Sequence, residues 1–338
     1  MSERVIVAVD GGNSKTDVAL VDDEGALLAL VRGSGCSPHH IGTEACVALI
    51  DELLASAREQ AQLVAAPLAA GVLLVAGADL ESEEHELRRQ AGARAWAQTL
   101  LVGNDTLAVL RAGSDAGFGV AVVCGAGINA LAVGTDGTLA RFPALGAITG
   151  DWGGGADLGL AALGKAVRAE DGRGRATALR RVVADHFAQD SALAVAIALH
   201  RRRLQAGRLL ELAPLVLAAA DDGDEVAIEL RERLASEIVA FVRAAATRAL
   251  ADVDRFDVVL GGSVLVGSPA LATRVTERLA LAVPAAAPRV CTLAPVAGAA
   301  LLGLELIDAP ARAAGALRAA LEGPEPGVGE AVGNGAGA

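Results

Sequence analysis

Tyrosine is absent from the 338 residues, and the aromatic content is only 2%. A single-stranded nucleic-acid binder stacks bases on aromatic platforms along a basic groove, and this chain offers neither. Positive charge is also scarce. Asp and Glu number 41 against 29 Lys and Arg, for a formal net charge of -12. That balance argues against binding to phosphate backbones and to anionic membrane surfaces. Lys15 and Lys165 are the only lysines, a usage for which a GC-rich coding genome is a simpler explanation than a functional one. The four cysteines, Cys36, Cys46, Cys124 and Cys291, form no C-x-x-C pair and have no histidine at metal-ligand spacing. They read as small buried residues, not as disulfides or ligands. No signal peptide precedes the first apolar segment. The most apolar window, Leu63 to Ala78, is broken by Pro67 and Gly71, so it reads as a helix end followed by a buried strand and not as a membrane span. A cytoplasmic location is therefore expected.

What is abundant is apolar residues, at 53%, and glycine, with 40. A chain of this length suits two domains better than one core. Its order repeats. Val5–Val9 runs through the glycine turn Asp10-Gly11-Gly12-Asn13-Ser14-Lys15-Thr16-Asp17 into Val18–Val21, and a second turn leads to Ala26–Val31. A helix is expected from a Thr43 N-cap to Glu59, then a strand Val72–Ala76, a helix from Ser82, and a strand Leu100–Val102. The meander starts again at Gly119–Val123, turns through Cys124-Gly125-Ala126-Gly127 into Asn129–Val133, and reaches Leu139–Phe142. A mainly helical stretch follows to Asp252, then a strand Phe256–Gly261, a helix, a strand Arg289–Leu293 and a helix Pro295–Ile307. Such self-similarity points to a duplicated β-β-β-α unit. The stretch 322–338, rich in Gly, Pro and Ala, has too few large apolar residues to pack and is expected to be disordered.

The turns carry the chemistry. Gly11 and Gly12 let the backbone approach a ligand, while Asn13, Ser14, Lys15 and Thr16 offer hydrogen-bond donors and a point charge to phosphate oxygens. Asp10, at a strand end, suits Mg²⁺ bound through water. An ordinary glycine hairpin is the plainer alternative. The spacing fits neither a Walker A loop nor a dinucleotide fingerprint, and a strand follows instead of a helix. The matching turn Gly125-Ala126-Gly127 makes chance less satisfactory, since two such hairpins are able to grip one polyphosphate from both sides. Asp105 follows a strand expected to be buried and opens a helix, so it projects from a strand edge. The plainer alternative is that Asn104, Asp105 or Thr106 caps that helix.

Asp10 to Thr16, Cys124 to Gly127, Gly261-Gly262-Ser263 and Pro295 to Ala300 together resemble the signature segments of the acetate kinase/sugar kinase/Hsp70/actin superfamily. Within it, the chain resembles the BadF/BadG/BcrA/BcrD ATPase family and its N-acetylglucosamine kinase branch. The resemblance implies an α/β, two-domain, duplicated ribonuclease H-like fold with an interdomain cleft, its first domain being residues 1–112 plus about 296–321 and its second 113–295. It implies ATP and Mg²⁺ as cofactors, Asp105 as general base, and ATP contacts from Gly11 to Thr16, Gly125, Ala126, Gly127, Gly261, Gly262 and Ser263. It further implies sugar contacts from Ser37, Asp105, Asn129, Gly150, Asp151 and Gly155, phosphoryl transfer to an amino-sugar hydroxyl (6-OH), and a homodimer. Ser37 stands where these kinases carry Asn, Ala144-Leu145 replaces a Gly-Trp pair, and Trp152 with three glycines follows Asp151. Trp152 is read either as a sugar-stacking face or as core. Two other readings are an ATPase activator of a dehydratase, which the dispersed cysteines disfavour because such activators hold an iron–sulfur cluster, and a regulatory module acting on a protein partner.

Overall fold

The computed structural model describes residues 4–322 and 329–330. The chain forms two compact units, one comprising residues up to Gly117 together with those from Cys291 onward, the other Phe118–Val290.

The first unit is built on strands β1 (Val5–Gly11), β2 (Lys15–Asp22), β3 (Leu27–Ser34), β4 (Leu68–Val75) and β5 (Ala97–Gly103). Their order across the sheet is β3-β2-β1-β4-β5, with Gly329–Glu330 pairing in parallel outside β3. The meander β1-β2-β3 is antiparallel, whereas β4 and β5 run parallel to β1. Every residue of β1 is buried, which explains why its sequence is a near-continuous apolar run without polar alternation. Val5, Val7 and Val9 pack with Val47, Ile50, Leu53 and Leu87 from the helices Thr43–Gln60 and Glu81–Gly92. Ile6 and Ala8 pack on the opposite face with Ala108, Val296 and Leu301 from the helices Thr106–Gly113 and Pro295–Leu306. Those two helices approach closely at Gly298, where a Cβ would stand 1.9 Å from the Ala108 carbonyl oxygen.

The second unit repeats the plan. Strands β6 (Gly119–Cys124), β7 (Ile128–Val133), β8 (Leu139–Arg141), β9 (Phe256–Gly261) and β10 (Ala286–Val290) lie in the order β8-β7-β6-β9-β10. Again the meander is antiparallel and the last two strands are parallel to its first. Strand for strand, order and direction match the first unit, so the duplicated ribonuclease H-like fold expected from the sequence is present. Between β8 and β9 the chain is helical, its longest helix being Glu225–Ala249, capped by Asp224, whose carboxylate accepts from the Ala227 N–H.

Two local expectations are corrected. Thr43 is the first residue of its helix and makes no cap; Gly42, at φ 83°, is the N-cap. The last strand is Ala286–Val290 and not Arg289–Leu293. Alanine and proline give Ala286–Pro288 little strand signal, but as an edge strand it tolerates Pro288.

One consequence of the topology positions the chemistry. Because β1, β4 and β5 are parallel neighbours, their carboxyl ends share one edge of the sheet, the edge where open α/β sheets bind ligands. Asp10 pairs with Leu74, and Leu74 with Gly103, in a row along that edge.

Candidate active site

Three acids gather at this edge, one from each parallel strand. Asp10 is the penultimate residue of β1, Asp79 follows the end of β4, and Asp105 follows the end of β5. Asp10 and Asp79 are buried and Asp105 is half-buried. Burial first, then the charges of Asp105 and Asp17, push the Asp10 carboxyl up to about 8 in spite of Lys15 and Arg32 nearby. Burial first, then the charge of Asp79, pushes Asp105 up to about 7. The cluster is thus short of positive charge, which is the electrostatic condition a divalent cation or a proton relieves. Asp10, the carboxylate expected beside Mg²⁺, fits that requirement.

The first glycine hairpin joins β1 to β2. The Gly12 N–H donates to the Lys15 carbonyl over 2.8 Å, and the Cys36 N–H donates to the Gly12 carbonyl over 3.1 Å. Asn13, Ser14 and Lys15 are exposed at its tip. The Lys15 ammonium lies 2.9 Å from Asp17, which also accepts from Arg32 Nε at 2.6 Å. Thr16, expected to offer its hydroxyl to phosphate, is wholly buried and donates that hydroxyl to the Ser34 carbonyl over 2.7 Å. It braces the hairpin from within. Ser37 is likewise buried, and its hydroxyl has no hydrogen-bond partner among the described residues.

Asp105 is the N-cap residue of the helix Thr106–Gly113, yet its backbone is already helical (φ -60°, ψ -22°) and its carboxylate makes no capping bond. The preceding side chain does that work instead. Asn104 Oδ1 accepts from the Thr106 N–H at 3.0 Å and from the Thr106 hydroxyl at 2.6 Å, while its Nδ2 donates to Asp79 Oδ1 at 2.7 Å. Asp79 in turn sits on a turn closed by Glu83, whose Oε2 accepts from the Asp79 and Leu80 N–H groups and whose Oε1 meets His39 Nε2 at 2.7 Å. The donor atoms of His39, Asp79 and Glu83 lie within 4.8 Å of one another. Each of these side chains has a protein partner, so the group is a structural tie between the loop at Ser37 and the turn at Asp79. Sequence reading missed Asp79 and Glu83. The available signal was positional: like Asp10 and Asp105, Asp79 is an acid at or within a few residues of a strand end, β1 ending at Gly11, β4 at Val75 and β5 at Gly103.

In the second unit three glycine segments converge. Gly154 starts the helix Gly154–Glu170 at φ 78°, with the Gly127 backbone only 2.5 Å from where a Cβ would stand. Gly262, at φ 90°, lies equally close to the Cys124 backbone, 2.4 Å by the same measure. Only glycine allows both the positive φ and the approach. The Gly155 N–H donates to the Gly125 carbonyl at 2.7 Å and the Ala156 N–H to the Ala126 carbonyl at 3.0 Å. Gly125 faces Ser263, whose N and Oγ each lie 3.9 Å from where a Cβ on Gly125 would stand. The structure therefore brings Gly125 to Gly127, Gly153 to Gly155 and Gly261 to Ser263 together. Gly155 itself is buried, with its N–H committed inside the protein.

Of the remaining residues, Gly150 is exposed and Asp151 half-buried, one Asp151 oxygen accepting from the Thr149 hydroxyl at 2.5 Å. Asn129 lies on β7, where its Oδ1 accepts from the Ala130 N–H at 2.7 Å. Trp152 packs against the core of the second unit, and the Arg233 guanidinium covers its ring at 3.9 Å. That face has an occupant already, which favours the core reading over sugar stacking.

With this geometry in view, comparison with known proteins is informative. The N-acetyl-D-glucosamine kinase of Dictyostelium discoideum is 25% identical over 242 residues, spanning 67% of this chain and 74% of that protein. The N-acetylmuramic acid/N-acetylglucosamine kinase of Clostridium acetobutylicum is 24% identical over 245 residues, spanning 71% of this chain and 79% of its own length. The solved structure of a proposed N-acetylglucosamine kinase from Chromobacterium violaceum superposes with a TM-score of 0.70 at 26% identity, covering 88% of this chain and 98% of the other. Residues 7–303 match the BadF/BadG/BcrA/BcrD ATPase family, and the chain belongs to that family.

Proposed function

We propose that this protein is an ATP-dependent kinase of a small sugar, with N-acetylglucosamine or a related amino sugar as acceptor and the 6-OH as the hydroxyl that reacts. The observation that carries this reading is Asp105: a half-buried carboxylate just beyond the end of β5, near enough to Asp10 on β1 for their charges to interact, in a chain whose relatives are named as amino-sugar kinases.

The reaction is an in-line displacement. The sugar hydroxyl oxygen bonds to the γ-phosphorus as the bond from that phosphorus to the bridging oxygen breaks, and the hydroxyl proton passes to Asp105. Catalysis of this kind is mostly positioning and charge stabilisation. The Asn13 and Ser14 backbone at the exposed tip of the first hairpin and the Lys15 ammonium hold phosphate oxygens, and the glycine segments at Gly125–Gly127 and Gly261–Ser263 hold the nucleotide. Asp10 would hold Mg²⁺, which would supply positive charge against the phosphate oxygens. Ser37 and Asp151 take the sugar hydroxyls; the unpartnered Ser37 hydroxyl supports this, since a buried hydroxyl without a bond is costly until a ligand supplies one. A cytoplasmic homodimer completes the proposal. No described helix is long and apolar enough to cross a membrane.

The test is ADP release from ATP and Mg²⁺ over a panel of free sugars: N-acetylglucosamine, N-acetylmuramic acid, glucosamine, N-acetylmannosamine and glucose. Sugar-dependent release with an N-acetylated amino sugar preferred supports the proposal; release independent of every sugar contradicts it.

A further inference from the structure

We propose that Asp79 and Asn104 are positioning residues that set the placement of Asp105, and that Asn104 is not a sugar ligand. This rests on the reading of Asp105 as the base.

An N-terminal Asp on a helix ordinarily turns its carboxylate back onto the first free N–H groups of that helix. A carboxylate so engaged is a poor base, because each bond it accepts stabilises its charge. Here the task passes one residue upstream. Asn104 Oδ1 fills both its lone pairs with the Thr106 N–H and hydroxyl. The side chain is 4% exposed, and its amide nitrogen is held by Asp79 at 2.7 Å. With the carbonyl fully used and the group buried, little of Asn104 is left for a substrate. What it does is tie the first turn of the helix Thr106–Gly113 to the turn after β4 and take the Thr106 N–H as its own partner, so that the Asp105 carboxylate makes no capping bond. The Thr106 and Asp105 N–H groups nearby offset only part of the upward push of burial and Asp79. Asp79 is fixed in its turn by the bond from its own N–H to Glu83 Oε2 at 3.0 Å. The two parallel strand ends are therefore cross-linked by side chains directly beside the proposed base. Beyond geometry, the Asp79 charge also favours the protonated form of Asp105.

The experiment compares Asp79→Ala, Asp79→Asn, Asn104→Ala and Thr106→Val with Asp105→Asn and the unaltered enzyme, using ATP, Mg²⁺ and the panel sugar with the highest turnover. A base displaced by about 1 Å loses on the order of 100-fold in rate. Asp79→Ala and Asn104→Ala are expected to lower kcat by about 10- to 100-fold with both KM values held within about twofold. Asp79→Asn keeps an oxygen that accepts from Asn104 and should restore most of that loss. Thr106→Val removes one bond of the network without changing shape, and should lower kcat several-fold in a protein that folds even if the alanine variants do not. Unchanged kcat in Asp79→Ala, Asn104→Ala or Thr106→Val, with Asp105→Asn inactive, overturns this inference and leaves the base in place. A selective rise in the sugar KM of Asn104→Ala overturns it too, by making Asn104 a ligand. Full activity of Asp105→Asn removes the base and the inference together.

Discussion

Asp10 and Asp105 stand at the same edge of one sheet, on β1 and just beyond β5, near enough that the charge of Asp105 is second only to burial in pushing the Asp10 carboxyl up to about 8. Two carboxylates placed like this hold protons that exposed ones would have lost, and several measurable consequences follow from that.

The first concerns rate against pH. Asp105, raised to about 7 by burial and by Asp79, accepts a proton only when ionised. kcat/KM for the sugar should therefore rise about tenfold per pH unit below 7 and level off above it. A profile flat down to pH 5 would show that no group titrating near 7 is needed.

Stability should run the other way. Asp10 and Asp105 both have folded values, about 8 and about 7, above the unfolded value of 3.8. The folded state thus binds more protons than the unfolded state between about pH 4 and 8, and unfolding free energy falls as pH rises through that window. Replacing either by Asn should raise the Tm at pH 8.5 and leave it nearly unchanged at pH 4. An equal effect at both pH values would contradict the assignment.

Ser14 lies exposed at the hairpin tip, within the segment assigned to phosphate. Ser14→Ala should raise the KM for ATP several-fold and leave the sugar KM within about twofold, since only the nucleotide contact is lost. Steady-state kinetics with each substrate varied in turn checks this.

Gly298→Ala would place a methyl 1.9 Å from the Ala108 carbonyl oxygen. The helix that begins after Asp105 must then move away from the helix Pro295–Leu306. Overpacking of this kind costs about 1–3 kcal/mol, readable as a lower urea midpoint, and kcat should fall with it because Asp105 rides on the displaced helix.

Much of this was legible in the sequence because it depends on local pattern. The fully buried run Val5–Val9, the repeat of meander and glycine turn, and the acid shortly after a strand at Asp105 each follow from side-chain type and spacing, although β5 itself is buried only at Val102 and Gly103. What was not legible depends on partners distant in sequence. Thr16 looks like a ligand residue until Ser34, brought alongside it by β3, accepts its hydroxyl. The tie from Asn104 to Asp79 joins residues 25 positions apart, and only parallel pairing of β4 with β5 brings them into reach. Trp152 was ambiguous for the same reason, because Arg233 reaches its ring from a helix far along the chain.

The most direct measurement follows labelled γ-phosphate from ATP to N-acetylglucosamine, comparing the unaltered protein with Asp105→Asn while calorimetry records ATP binding in both. Label should reach the sugar with the unaltered protein, and Asp105→Asn should bind ATP normally but transfer at least about 1,000-fold more slowly, the upper part of the range for loss of a general base. Equal transfer by the two proteins would contradict the proposed chemistry.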